Sequence, residues 1–145
     1  PPFGANDHES AQHLQNSLNR AKFLLAFSTS VSPAPYTHPT KEYITGRWTD
    51  ALASGVTVVG KVPNTTTVRE ILWDSATIDI DHADARAGLA QVADAVSRWT
   101  PAQIRQALQH LDWRHRFVQL CEAMGEVPAS LAADCEAMRA QYVQR

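Results

Sequence analysis

The feature that most constrains the fold is the segment 41–60, where a short helical pattern is followed by glycine and then by an apolar run. Thr45 can cap the helix, because its hydroxyl can accept a hydrogen bond from an unpaired amide of the first turn. Ser54 and Gly55 predict the end of the helix, since glycine readily takes a positive φ there. Residues 56–60 then predict a buried strand.

Two further strand patterns alternate with helical ones. Residues 22–28 form a continuous apolar run, which favours a central parallel strand covered on both faces. Residues 76–80 alternate apolar and polar side chains, which favours a strand near the sheet edge. Helices between successive strands imply parallel pairing through right-handed crossovers. The sequence therefore predicts an α/β fold, a three-layer Rossmann-like domain with a short parallel sheet of about three strands and a helical C-terminal part.

Helical periodicity extends over the rest of the chain. Asn6 is placed to cap a first helix ending near residue 20, and four helices are expected after residue 80. One C-terminal stripe contains Trp113, Phe117, Leu120 and Met124. We interpret the tryptophans as core or helix-contact residues and not as a platform for stacking sugars.

Length and composition indicate one domain that spans residues 1–145, with residues 1–8 as a flexible terminus. The chain begins without Met, which suggests an excised segment of a longer protein. The formal net charge of −2 and the absence of a basic stripe argue against a nucleic-acid-binding protein. No apolar run approaches the ~20 residues that span a bilayer, and no signal-peptide pattern is present.

The cysteines and histidines indicate neither a disulfide nor a metal site. Cys121 and Cys135 fall on apolar helical faces, so we expect reduced core side chains and a cytoplasmic protein. The six histidines show no metal-ligand spacing, and His38 alone lies near the segment 41–60, where a surface role is the simpler interpretation.

The segment 41–60 also resembles a known family. Glu42, seven intervening residues, and then Asp-Ala-Leu-Ala-Ser-Gly from Asp50 are similar to the Glu-x7-Glu signature of GT-B fold glycosyltransferases, in their C-terminal nucleotide-sugar-binding domain (glycosyl transferases group 1). Asp50 replaces the second Glu, and Thr57 stands where proline is common. The sequence from Arg47 to Asp50 also resembles the Arg-x-x-Glu version of the motif. The resemblance extends from about residue 20 to about residue 117.

The resemblance implies a transferase that moves a sugar from a nucleotide-diphosphate-sugar donor to a glycan or lipid-linked acceptor, as in cell-surface polysaccharide biosynthesis. It implies no cofactor and no metal, and a location in the cytoplasm or peripherally at the inner membrane face. The family's first strands, with their glycine-rich turn, and its N-terminal acceptor domain have no counterpart in this sequence. This chain would therefore supply the donor-binding part, and it is expected to be inactive without the acceptor domain.

Each site residue follows from its position in the motif. The free amides of Gly46 and Arg47 at a helix N-terminus favour a diphosphate, and Arg47 can add a charge-assisted hydrogen bond. By the resemblance, Asp50 accepts hydrogen bonds from the ribose hydroxyls, and Glu42 is the catalytic residue that contacts the donor sugar.

Thr45 and Lys61 complete the expected donor-binding set. Lys61 follows the second strand and could reach a phosphate.

Simpler interpretations of the same residues remain open. Asp50 can be a solvated helix residue, Arg47 can form a surface ion pair, and Lys61 can be solvent-exposed. At the level of the whole chain, the alternative is a non-catalytic α/β module that binds nucleotides or another protein. The sequence does not identify the base, the sugar, the acceptor or the stereochemical outcome.

Overall fold

The computed structural model describes residues 4–31, 33–100 and 102–143. These residues form seven helices and three strands, in the order α1 (Asp7–Leu18), β1 (Phe23–Leu25), α2 (Gly46–Ala53), β2 (Thr57–Gly60), α3 (Thr66–Ile71), β3 (Thr77–Asp79), α4 (Ala85–Val96), α5 (Ala102–Leu111), α6 (Trp113–Met124) and α7 (Ala129–Val143). The predicted order of elements is confirmed. Helix α1 begins inside the segment 1–8 that was predicted to be flexible, and residues 1–3 lie outside the described part.

The three strands form one parallel sheet in the order β1-β2-β3. Leu24 pairs with Val58, and Val59 pairs with Ile78. All four residues of β2 are buried, so β2 is the central strand. The edge position predicted for β3 is confirmed.

The central position predicted for the first strand is wrong. Strand β1 is three residues long and lies at the other edge of the sheet, and the side chain of Leu25 is 62% exposed. A continuous apolar run predicts a strand covered on both faces only where further elements supply that cover. Among the described residues, no strand pairs with the outer edge of β1.

The core lies on one face of the sheet, under helix α2. Trp48, Ala51 and Leu52 of this helix are almost completely buried, as their shared helical face predicts. They pack with Val58 of β2 and with Leu18 at the end of α1. The same face therefore fixes the orientation of α2 relative to the strands.

The ends of α2 agree with the sequence signals, with one exception. Gly55 has φ 79°, and the amide of Val56 donates to the carbonyl of Ala51 at 3.0 Å, which closes the helix in a Schellman motif. Thr45 occupies the N-cap position, but its side chain makes no capping hydrogen bond. The predicted hydroxyl cap is therefore wrong, although the helix begins where it was expected.

Helices α4 and α5 lie on opposite sides of the sheet. A Cβ on Gly55 would lie 2.3 Å from Ile104, so α5 packs closely on the end of α2. On the other face, a Cβ on Gly88 of α4 would lie 3.1 Å from Ile80. This second face is covered only in part, and an apolar groove of about 470 Å³ remains open beside Leu25 and Leu89.

Helices α6 and α7 pack against each other beyond the sheet. Cys135 and Met138 of α7 are buried, whereas Cys121 is half-buried, and both cysteines are free thiols, as predicted. The predicted stripe on α6 faces outward, with Trp113 74% exposed and Met124 77% exposed. The core role predicted for Trp113 is therefore wrong, because periodicity shows which residues share a face but not what that face meets.

A search of the described residues finds no helix with the length and apolar character that crossing a membrane requires.

Candidate functional site

A cleft of about 850 Å³ opens where β1 ends and α2 begins, and we call it the α2 cleft. Residues of helix α1, of strand β1, of the long loop between β1 and α2, and of α2 itself line it. Its lining includes Leu14, Leu24, Thr29, Tyr43, Arg47 and Asp50. In parallel α/β sheets, ligands bind at the carboxyl ends of the strands, and this cleft lies at such an end.

The N-terminus of α2 points unpaired backbone donors at this region. The amide of Trp48 already donates to the carbonyl of Thr45 at 2.9 Å. The amides of Gly46 and Arg47 have no hydrogen-bond partner among the residues that the structure describes. Because the helix dipole places partial positive charge here, two free amides form a favourable position for an anion.

Arg47 and Asp50 both line the cleft, and both are exposed. Within the described ranges, neither the guanidinium of Arg47 nor the carboxylate of Asp50 has a hydrogen-bond or ion-pair partner. An Asp50 carboxylate oxygen lies 4.0 Å from the position a Cβ on Gly46 would take, so it is close to the first turn. A cation, a carboxylate and free amides thus meet at one end of a helix.

Glu42 has a different environment from the one predicted. One of its carboxylate oxygens accepts hydrogen bonds from the hydroxyls of Ser28, at 2.6 Å, and of Ser30. The other oxygen accepts from the backbone amide of Asn64 at 3.1 Å. These bonds, the one from Ser28 most strongly, lower the pKa of Glu42 below its ordinary value, and nearby Lys61 contributes in the same direction.

Glu42 therefore connects two loops that leave the carboxyl ends of neighbouring strands. Ser28 and Ser30 follow β1, and Asn64 follows β2. Glu42 does not line the α2 cleft. Its carboxylate fixes the start of the loop that lines the cleft relative to the loop after β2.

Lys61 also binds another side chain of the protein. Its ammonium group lies 3.2 Å from the carboxylate of Asp79, and that carboxylate also accepts from the amide of Val62 at 3.1 Å. Lys61 is not part of the cleft lining. Of the predicted donor-binding set, Thr45, Arg47 and Asp50 line the cleft, and Gly46 stands between two of them in the chain.

Three polar or aromatic residues of the cleft were not singled out from the sequence. Tyr36 is 89% exposed at the rim, and Tyr43 is partly exposed. Thr29 is only 8% exposed, and its hydroxyl oxygen is buried without a hydrogen-bond partner in the described part of the chain. The available signal was their position in the loop that follows an apolar strand, at the edge where ligands bind.

His38 lies outside the lining of the cleft. Its ring nitrogen Nδ1 accepts from the backbone amides of Thr40 and Lys41, both at 3.1 Å, so it shapes the loop. In the part of the chain that the structure describes, no group of three or more acidic, histidine or cysteine side chains is arranged to hold a metal ion.

Comparisons with protein-family models, with curated proteins and with solved structures find no match for this chain. The geometry of the α2 cleft and the sequence motif that forms it are the features of this chain that bear on its function.

Proposed function

We propose that the α2 cleft binds a nucleotide-diphosphate sugar and that the chain is the donor-binding part of a glycosyltransferase. The observation that carries the proposal is that Arg47 and Asp50 line one cleft, at the start of the helix where the amides of Gly46 and Arg47 are free. Neither the Arg47 nor the Asp50 side chain has a partner among the described residues. A volume of about 850 Å³ lies within the range of ~300–1,000 Å³ common for small-molecule sites.

Each of these groups can bind one part of such a donor. The amides of Gly46 and Arg47 hold the diphosphate, and the Arg47 guanidinium adds charge-assisted hydrogen bonds. The Asp50 carboxylate accepts from the two vicinal hydroxyls of the ribose. Fixed dipoles and a cation then stabilise the negative charge that develops on the leaving diphosphate as the bond to the sugar breaks.

The remainder of the proposal follows from the motif between Glu42 and Gly55. The domain would be a three-layer Rossmann-like unit, and the acceptor would be a glycan or a lipid-linked glycan. An acceptor-binding domain would close over the cleft. The catalytic role predicted for Glu42 becomes indirect here, since protein groups already occupy both of its carboxylate oxygens.

The test is a titration of the ¹⁵N-labelled chain with UDP, GDP, ADP, CMP and dTDP, each followed by NMR. We expect the largest shifts at the amides of Gly46 and Arg47, and we expect Asp50→Asn to weaken nucleoside diphosphate binding more than inorganic pyrophosphate binding. A well-dispersed spectrum that none of these ligands changes at millimolar concentration would overturn the proposal.

A second function is favoured by the position of Glu42. Because its carboxylate ties two loops together and does not line the cleft, the chain could bind a nucleotide without turnover. A non-catalytic nucleotide-binding module would show the same NMR shifts. It would differ from the transferase in one measurement, since the full-length protein would not cleave the bound donor with or without acceptor glycans.

A further inference from the structure

Among the described residues that line the α2 cleft, Thr29 alone has a buried side-chain polar group without a hydrogen-bond partner. It follows β1, it lines the cleft, and it is 8% exposed. Its hydroxyl oxygen makes no hydrogen bond within the described ranges. A buried hydroxyl without a partner costs free energy, so native proteins rarely keep one without a reason.

The residues on either side of Thr29 are held firmly. The hydroxyls of Ser28 and Ser30 both donate to the same carboxylate oxygen of Glu42. The other oxygen accepts from the amide of Asn64, in the loop after β2. The Glu42 carboxylate thus fixes the residues on both sides of Thr29, and the loop after β2 in turn fixes that carboxylate.

We propose that the Thr29 hydroxyl is a ligand-binding group of the α2 cleft and that Glu42 is the positioning residue that holds it there. The hydroxyl donates to an anionic oxygen of the ligand, because the same cleft contains the positive end of α2 and the Arg47 guanidinium. The hydroxyl is covered in the free chain, so binding includes a χ1 rotation of Thr29. The inference rests on the proposed function for the identity of the ligand.

The variants are chosen to separate binding from stability. Thr29→Val removes the hydroxyl at nearly constant shape, and Thr29→Ser keeps it. Thr65→Val is the matched control, because the Thr65 hydroxyl accepts from the amide of Val68 at 3.2 Å and Thr65 does not line the cleft. The probes are UDP and inorganic pyrophosphate, measured by calorimetric titration, and the free variants are compared by thermal unfolding.

We expect Thr29→Val to raise the unfolding midpoint of the free chain, since it removes an unpaired buried hydroxyl. We expect it to weaken the binding of both probes about tenfold, which corresponds to one hydrogen bond to a charged group. Thr29→Ser should bind UDP and pyrophosphate with the same affinity as the wild-type chain. Thr65→Val should lower the midpoint and leave the affinity unchanged.

The positioning role of Glu42 has its own measurement. Glu42→Gln should weaken pyrophosphate binding in the unchanged chain but have little further effect in the Thr29→Val background, because both substitutions act through the same hydroxyl. A purely structural role for Glu42 would give the same loss of affinity in both backgrounds, and that result would overturn the positioning role.

Failure of this inference differs from failure of the proposed function. Full affinity of Thr29→Val for UDP and pyrophosphate would overturn the role of Thr29 while the nucleotide site stands. Binding of pyrophosphate without binding of UDP would overturn the nucleotide proposal, and weaker pyrophosphate binding by Thr29→Val would still support the role of Thr29. Binding of neither probe to the unchanged chain would overturn both.

Discussion

The Ser28 hydroxyl donates a 2.6 Å hydrogen bond to the carboxylate of Glu42, which lies 14 residues further along the chain. The same carboxylate accepts from the amide of Asn64, 22 residues beyond Glu42. One side chain thereby joins the loops that follow β1 and β2. The shape of the α2 cleft depends on this connection, since the loop after β1 forms one of its walls.

This connection predicts that acid destabilises the chain partly through Glu42. Hydrogen bonds, led by the one from Ser28, lower the pKa of Glu42 below its ordinary value of 4.5. The carboxylate therefore contributes stability that is fully present above pH 4.5, and this stability is lost as pH falls through the lowered pKa of the folded chain. At pH 7 we expect Glu42→Gln to cost about 1 kcal/mol, a small value because the carboxylate is partly exposed.

Urea unfolding of the unchanged chain and of Glu42→Gln at pH 7 and at pH 3 measures this contribution. The difference in unfolding free energy between the two chains should shrink at the lower pH. Asp112 also has a lowered pKa, caused mainly by its hydrogen bonds from Arg114, so both chains should lose some stability in acid. An equal difference at both pH values would contradict the role assigned to the Glu42 carboxylate.

The edge position of β1 predicts unequal costs for two leucine substitutions. Leu52 is fully buried under the sheet, whereas Leu25 is 62% exposed. We expect Leu52→Ala to cost about 2–5 kcal/mol, because it removes buried methyl groups and leaves a cavity. Leu25→Ala should cost less than about 1 kcal/mol, since little apolar surface is lost from the interior.

Chemical denaturation of the two variants gives both values under the same conditions. A cost for Leu25→Ala as large as that for Leu52→Ala would show that β1 is covered in solution. The central position predicted from the sequence would then describe the protein better than the edge position does.

The sequence predicts the parts of the fold that local signals determine. The end of α2 follows from Gly55, whose positive φ the helix stop requires, and the burial of Trp48 follows from helical spacing. The position of β1 in the sheet could not be predicted in this way. An apolar run has the same composition whether or not a further element covers its second face, and that cover comes from distant parts of a chain.

Some features of the candidate site could likewise be predicted from local sequence signals, and others could not. Arg47 and Asp50 line the cleft because both lie near the start of α2, and the helix start could be predicted from Thr45 and Gly46. The contact between Glu42 and Asn64 depends on how two strands bring their following loops together. The unpartnered hydroxyl of Thr29 depends on every side chain around it, so no local pattern indicates it.

The close approach of β2 to the chain that follows β1 predicts that Gly60 tolerates no side chain. A Cβ on Gly60 would lie 1.7 Å from the carbonyl oxygen of Ala26. The Ala26 backbone cannot move away easily, because its amide donates to the carbonyl of Val59 at 2.8 Å. We expect Gly60→Ala to destabilise the chain by about 3 kcal/mol or more.

Gly125 provides the matched control for this substitution. It also has a positive φ, of 98°, but a Cβ there would meet no atom of the described residues within 4 Å. Gly125→Ala should cost only the strain of the left-handed conformation, about 1–2 kcal/mol. Equal unfolding midpoints for the two variants in a thermal scan would contradict the steric argument at Gly60.

The exposure of Arg47 predicts that its contribution to nucleotide binding depends on salt. At low ionic strength we expect Arg47→Gln to weaken UDP binding about tenfold or more, since a guanidinium makes charge-assisted hydrogen bonds to phosphate. The difference should narrow as salt is added, because the Debye length falls to about 3 Å at 1 M.

Arg116→Gln is the control, since Arg116 donates to the side-chain oxygen of Gln119 at 2.7 Å and does not line the cleft. Titrations of the three chains with UDP at low and high salt make the comparison. An equal loss in both variants, or a loss that salt does not change, would show that Arg47 does not contact the diphosphate.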